Sequence, residues 1–115
     1  MNPYKRSVRV ADLLREEISL IVMRRIKDPR LGFVTVTAVK VTDDLKLARV
    51  YISVMDKKNA ESSLEVLTSA KGFIRSELSK TVKLKYIPQL EFFKDESIEY
   101  GERIDKLLDE IKDRE

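Results

Sequence analysis

The chain contains no cysteine and no histidine. Without thiols there is no disulfide, no thiolate nucleophile and none of the usual zinc sites. Without imidazole it lacks the side chain that most often moves protons near neutral pH. No apolar run approaches the roughly 20 residues that span a membrane. The first 17 residues are charged throughout and have no apolar core of the signal-peptide kind. Glycine and proline occur only three times each, so each one marks a place where the backbone changes direction. These absences predict a cytoplasmic protein that is not an enzyme, with no cofactor, no metal and no membrane contact.

What is present is charge, at 37% of 115 residues, in a chain with 43% hydrophobic residues. That length predicts a single domain over 1–115, large enough to bury one core without staples. The overall charge is +3, but residues 96–115 hold four basic and eight acidic side chains, a net of −4 that leaves +7 on the rest. A basic body with an acidic end favours a polyanionic partner. An ordinary charged surface of the heat-adapted kind is the competing explanation.

The stretch from Asn59 to Asp95 organises the chain. Leu64, Leu67, Ala70, Ile74, Leu78 and Val82 recur on one face of a 3.6-residue period. That face continues through Gly72, although glycine within a helix costs about 1 kcal/mol relative to alanine. Two helices sharing one core are therefore predicted, bent at Ala70-Lys71-Gly72. Lys71 and Arg75, four residues apart, point to the same side of the second.

Upstream, Val10, Leu14, Ile18, Ile21 and Val22 predict a helix over about Ser7–Lys27. Eight cations lie in the first 30 residues against four acids. Arg24, Arg25 and Lys27 fit two readings, as complements of the helix dipole or as a phosphate-binding patch. Asp28-Pro29-Arg30-Leu31-Gly32 ends this helix. From Phe33 to Met55 the period becomes two, with Val34, Val36 and Ala38, then Ala48, Val50, Ile52 and Val54, on one face. A β-hairpin is predicted, turning at Thr42-Asp43-Asp44-Leu45, where the aspartates are turn formers rather than metal ligands. After Pro88, Leu90-Glu91-Phe92-Phe93 predicts a third strand, with Leu90 and Phe92 in the core. Phe93 faces the other way, either as a stacking platform or packed under a final helix. Residues 97–113 predict that acidic helix, with Ile104, Leu108 and Ile111 on one side and Gly101 weakening its start.

The predicted fold is thus α+β, in the order α-β-β-α-kink-α-β with a C-terminal helix and a core over about 5–95. It resembles a KH domain of the second topological type, in which Ala70-Lys71-Gly72 stands where the GXXG loop would grip single-stranded nucleic acid. Four stretches carry a closer likeness: Asp28-Pro29-Arg30-Leu31-Gly32; Asp44-Leu45 with Ala48 and Val50-Tyr51; Ala70-Lys71-Gly72-Phe73-Ile74-Arg75; and Pro88-Gln89-Leu90-Glu91-Phe92 with Asp95 and Ser97. In order and spacing they resemble the bacterial ribosome-binding factor A family, with Lys85 where that family often has arginine. The resemblance implies ribosome biogenesis: binding to the free 30S subunit and assistance in late maturation and processing of 16S rRNA. It also implies cold adaptation and partners among small-subunit proteins and a maturation GTPase.

The expected RNA-binding residues are Lys71, Arg75, Lys80, Lys83 and Lys85, with Arg6, Arg9, Arg24, Arg25 and Arg30 as a second tier, around a kink at Ala70 and Gly72. They would neutralise phosphates and read shape more than bases. The protein is expected to act as a monomer. A protein-interaction module docking through helix one or the acidic helix, and a metal-dependent ribonuclease, are the rival readings.

Overall fold

The computed structural model describes residues 5–96. Its first element, α1 (Arg6–Arg25), begins one residue before the predicted helix and ends two residues short of it. All five predicted core positions are buried, and Ala11 joins them. Leu14 and Ile18 are wholly enclosed, each contributing about 1.5–3 kcal/mol. The early stop lies at Ile26, which turns extended (φ −94°, ψ 109°) and packs, partly buried, against the core. Pro29 then disfavours any return to helix at Asp28. A tight turn follows, closed by the Leu31 N–H donating to the Asp28 carbonyl at 2.9 Å.

That turn is fastened to the next helical layer by two serines. The buried Ser63 hydroxyl accepts the Gly32 N–H at 2.9 Å, and the Ser62 hydroxyl donates to the Arg30 carbonyl at 2.9 Å. Gly32 has no positive φ. Its missing side chain serves proximity instead, since a Cβ there would lie 2.9 Å from Asn59 Cβ and 3.2 Å from Val54 Cγ1.

The sheet holds β1 (Val34–Val41), β2 (Leu47–Val54) and β3 (Gln89–Lys94) in that spatial order, β1 antiparallel and β3 parallel to β2. Ala48, Val50 and Ile52 of β2 and Leu90 and Phe92 of β3 are buried, as alternation predicts. In β1 the alternation fails. The register shifts between Val36 and Ala38, so the buried pair is Val36 and Val39 rather than Val36 and Ala38. The extra residue, Thr37, turns its hydroxyl to the Asp95 carboxylate at 2.5 Å. A β-bulge of this kind is invisible to a strict period of two.

The β1–β2 turn confirms one aspartate as a turn former. Asp44 accepts from the Thr42 hydroxyl (2.7 Å) and the Lys46 N–H (3.1 Å), contacts that hold its carboxyl below the ordinary carboxylate range. Asp43 instead accepts from the Ser7 hydroxyl at 3.3 Å. Leu45 takes the left-handed conformation at φ 61°, at a cost of about 1–2 kcal/mol for a residue with a Cβ.

Between the strands run α2 (Ala60–Ser69) and α3 (Lys71–Thr81), preceded by a short 3₁₀ turn at Lys57–Asn59. The predicted break is present, but it falls on Ala70 alone (φ −90°, ψ 6°), and Gly72 lies inside α3. The Ala70 N–H reaches both the Val66 and Leu67 carbonyls, at 3.0 and 3.1 Å, a bifurcation typical of a helix terminus. The shared stripe holds: Leu67, Ile74, Leu78 and Val82 are buried, with Leu64 and Ala70 partly so. α1 packs on β1 and α3, and α2 packs on β3. Among the described residues no helix is long and apolar enough to cross a membrane. The predicted C-terminal helix over 97–113, and with it the surface expected over Phe93, lies outside the described residues.

Replacing Gly32 with alanine drives a Cβ against backbone-anchored atoms of the 3₁₀ turn and β2. Urea denaturation of Gly32→Ala is expected to show a loss of about 1–3 kcal/mol; an unchanged midpoint would contradict the tight approach.

Candidate nucleic-acid interface

The helix break and the end of α1 meet in space although some 45 positions separate them. Arg25, Lys27 and Arg30 face Ser69, Ala70 and Phe73 across a depression of about 310 Å³. Packing of α1 against α3 brings them together, and sequence periodicity says nothing about that packing. No side chain caps the N-terminus of α3, which starts at Lys71, half-buried beside the break. A Cβ built on Gly72 would meet nothing within 4 Å, and its φ is not positive. Nothing within the described residues requires glycine at that position.

Arg30 enters this depression already paired. Its Nε and Nη2 donate to both oxygens of Asp28 at 3.2 and 2.9 Å, and its backbone N–H donates to the same carboxylate at 2.9 Å. The Arg30 side chain first, and then its N–H, hold the Asp28 carboxyl below its ordinary value, and the same contact raises Arg30. A depressed carboxylate keeps its partner above the ordinary carboxylate range and loses it only as pH falls through the lowered value. The clasp is therefore constant around neutrality. Arg25 and Lys27 form no ion pair among the described residues.

A second and larger cleft, about 560 Å³, opens at the other end of α1. Arg6, Arg75 and Lys85 of the expected set line it, together with Lys46 and Tyr86, which the sequence reading did not nominate. The alternation of lysine with apolar Leu84 and aromatic Tyr86 in Lys83-Leu84-Lys85-Tyr86 was the available signal for Tyr86. Arg75 has a structural task here. Its Nε donates to the Pro88 carbonyl at 3.1 Å and its Nη2 to the Ile87 carbonyl at 2.9 Å, so the half-buried guanidinium ties α3 to the entry of β3. Lys71 and Arg75 thus differ in role although they sit one helical turn apart.

Arg9, Arg24, Lys80 and Lys83 are exposed and line neither cleft. Lys80 lies 3.2 Å from Glu77, an exposed pairing one turn apart. Phe93 stacks on Tyr51 of the neighbouring strand, ring centroids 5.7 Å apart. Among the described residues no group of three or more acids or other ligands is placed to hold a metal ion.

Comparison with known proteins gives a consistent picture. The family described as Ribosome-binding factor A matches residues 6–108. The chain is 53% identical over 112 residues to a Ribosome-binding factor A of Thermodesulfovibrio yellowstonii, covering 97% of this chain and 95% of that protein. The crystal structure of ribosome-binding factor A from Thermus thermophilus is similar at a TM-score of 0.71 and 25% identity, over 76% of this chain and 93% of that one. A homology model of the Thermus thermophilus protein, fitted into the cryo-EM map of a 30S–RbfA complex, is similar at a TM-score of 0.65 and 26% identity, over 75% and 91% of the two chains.

Because Arg75 holds two backbone carbonyls and Lys71 has no such contact, their alanine variants are expected to separate in stability. Arg75→Ala should lose about 1.5–3 kcal/mol in urea denaturation, and Lys71→Ala should stay within about 0.5 kcal/mol of the parent. Equal midpoints would deny Arg75 its fastening role.

Proposed function

The chain belongs to the ribosome-binding factor A family, and we propose that it binds the free 30S ribosomal subunit and assists late maturation of 16S rRNA without catalysis. The observation that carries this reading is Gly72. Nothing among the described residues makes use of its bareness, whereas a sugar-phosphate chain approaching the break would. Lys71 stands beside it, Arg25 and Lys27 lie across the depression, and the uncapped start of α3 supplies a positive dipole end.

The order α-β-β-α-α-β, with a small-residue break between the last two helices, fits a KH-like domain of the second type in which Ala70-Lys71-Gly72 replaces GXXG. One non-helical residue is too short to clamp several nucleotides, so contact is with phosphates and shape, more than with base identity. Binding one rRNA arrangement better than another shifts the population toward the form ready for processing, by no more than the difference in affinity. A monomer suffices for this, and no hydrolysis is involved. In the family setting, rRNA processing, growth at low temperature and release by a maturation GTPase are parts of the same proposal.

A second reading has its own observation. Met23 and Phe33 are 75% and 71% exposed and border an apolar depression at the end of α1. Such a patch suits a small-subunit protein as a neighbour. Subunit binding that persists at high salt would favour that contact over phosphates.

Three variants test the main reading. Lys71→Ala and Arg25→Ala should each lower the slope of log affinity against log salt by about one for every phosphate they cease to neutralise, measured on free 30S subunits. Gly72→Ala should raise helix stability by up to about 1 kcal/mol while weakening subunit binding. Unchanged slopes, or a Gly72→Ala protein that binds as well as the parent, would remove this surface from the interface.

A further inference from the structure

The larger cleft, beside the hairpin turn, has a composition that phosphate neutralisation alone does not explain. Four cations line it: Arg6, Lys46, Arg75 and Lys85. The one acid among its walls, Asp44, is engaged by the Thr42 hydroxyl and the Lys46 N–H of its own turn. Between the cations lie apolar surfaces from Leu45, Leu84 and Ile87. Tyr86 stands at the rim, 77% exposed, with Lys85 Nζ 5.6 Å from its ring centroid. An aromatic ring so exposed has a free face, and the lysine occupies at most one side of it.

Two features indicate that the cleft is prepared in advance. Arg75 is pinned through Nε and Nη2 to the Pro88 and Ile87 carbonyls, so its guanidinium is already oriented. A guanidinium has five N–H donors, and those two bonds leave the others unspent. Leu45 forms its part of the wall in a left-handed backbone conformation (φ 61°) that a leucine rarely adopts. Strain of this sort is retained where surroundings over-determine it, often around ligands.

We infer that this cleft receives one unpaired nucleotide of an RNA strand, its base stacked on Tyr86 and against the apolar wall, its phosphate among Arg75, Lys46, Lys85 and Arg6. The volume, about 560 Å³, lies within the roughly 300–1,000 Å³ of sites that enclose a small ligand. Bases stack on exposed aromatic rings whatever their identity, so the site selects for unpaired structure and not for sequence. The inference rests on the rRNA-binding reading and adds a second contact, whose Arg75 lies about one helical turn beyond Lys71.

The test uses the full chain, a short unstructured oligouridylate, a duplex RNA of equal length and free uridine 5′-monophosphate, with affinities read by fluorescence anisotropy, direct for the RNAs and by displacement for the mononucleotide. Tyr86→Ala should weaken oligouridylate binding by roughly five-fold or more, with an unchanged salt slope, an unchanged melting temperature and no effect on the duplex. Tyr86→Phe should bind as the parent does. Lys46→Ala should lower the oligouridylate salt slope by about one. Equal affinity of the parent and Tyr86→Ala for oligouridylate would overturn the inference, as would equal losses on duplex and single strand. Uridine monophosphate competing as tightly as the strand would also overturn it, by assigning the cleft to free nucleotides. All three results leave the Lys71 and Arg25 measurements on 30S subunits intact, so the broader reading stands or falls separately.

Discussion

One arginine joins the two halves of this fold. Arg75 reaches from the first turns of α3 to the carbonyls of Ile87 and Pro88, where the chain re-enters the sheet. Those carbonyls precede a strand whose first N–H, at Gln89, donates to the Lys46 carbonyl beyond the hairpin turn at 2.9 Å. The guanidinium therefore sets where β3 begins, and β3 in turn sets its parallel register against β2. The walls of the larger cleft come from those segments, so its shape depends on the same contact. A lysine would offer a point charge on a flexible stem in place of this fixed planar fork.

The fold was largely legible in the chain because its helices and strands bury single faces. Each predicted core position on α1 and β3 is covered, as are Ala48, Val50 and Ile52 on β2, and the Asp28–Gly32 turn falls where proline requires it. The failures share a cause: they concern contacts between distant segments or single-residue irregularities. Thr37 shifts the pleat of β1 without any change in residue character. The break falls on Ala70 and not on Gly72, because a lone exposed glycine remains compatible with helix when its neighbours supply the bonds. The serines that hold the Asp28–Gly32 turn look like ordinary helix surface until the structure sets them against it.

The candidate surface was legible in kind and not in arrangement. Counting cations shows which elements carry charge, but it does not record which donors are already spent. Arg30 is balanced by Asp28, two of Arg75's donors hold backbone carbonyls, and Lys80 lies against Glu77. Arg6 and Arg25 lie at opposite ends of the 20-residue α1, about 30 Å apart, whereas Arg75 of the larger cleft sits on α3 about one turn from Lys71. Lys46 and Tyr86 enter only through tertiary proximity, since neither lies on the helices that drew attention in the sequence.

The irregularity at Thr37 has a further consequence. β1 forms one border of a three-stranded sheet, and such a border offers its unused donors and acceptors to any passing chain. The inserted residue throws the two halves of that border out of phase, so an incoming strand in step with one half is out of step with the other. The bulge thereby guards this border against pairing with a second copy of the chain.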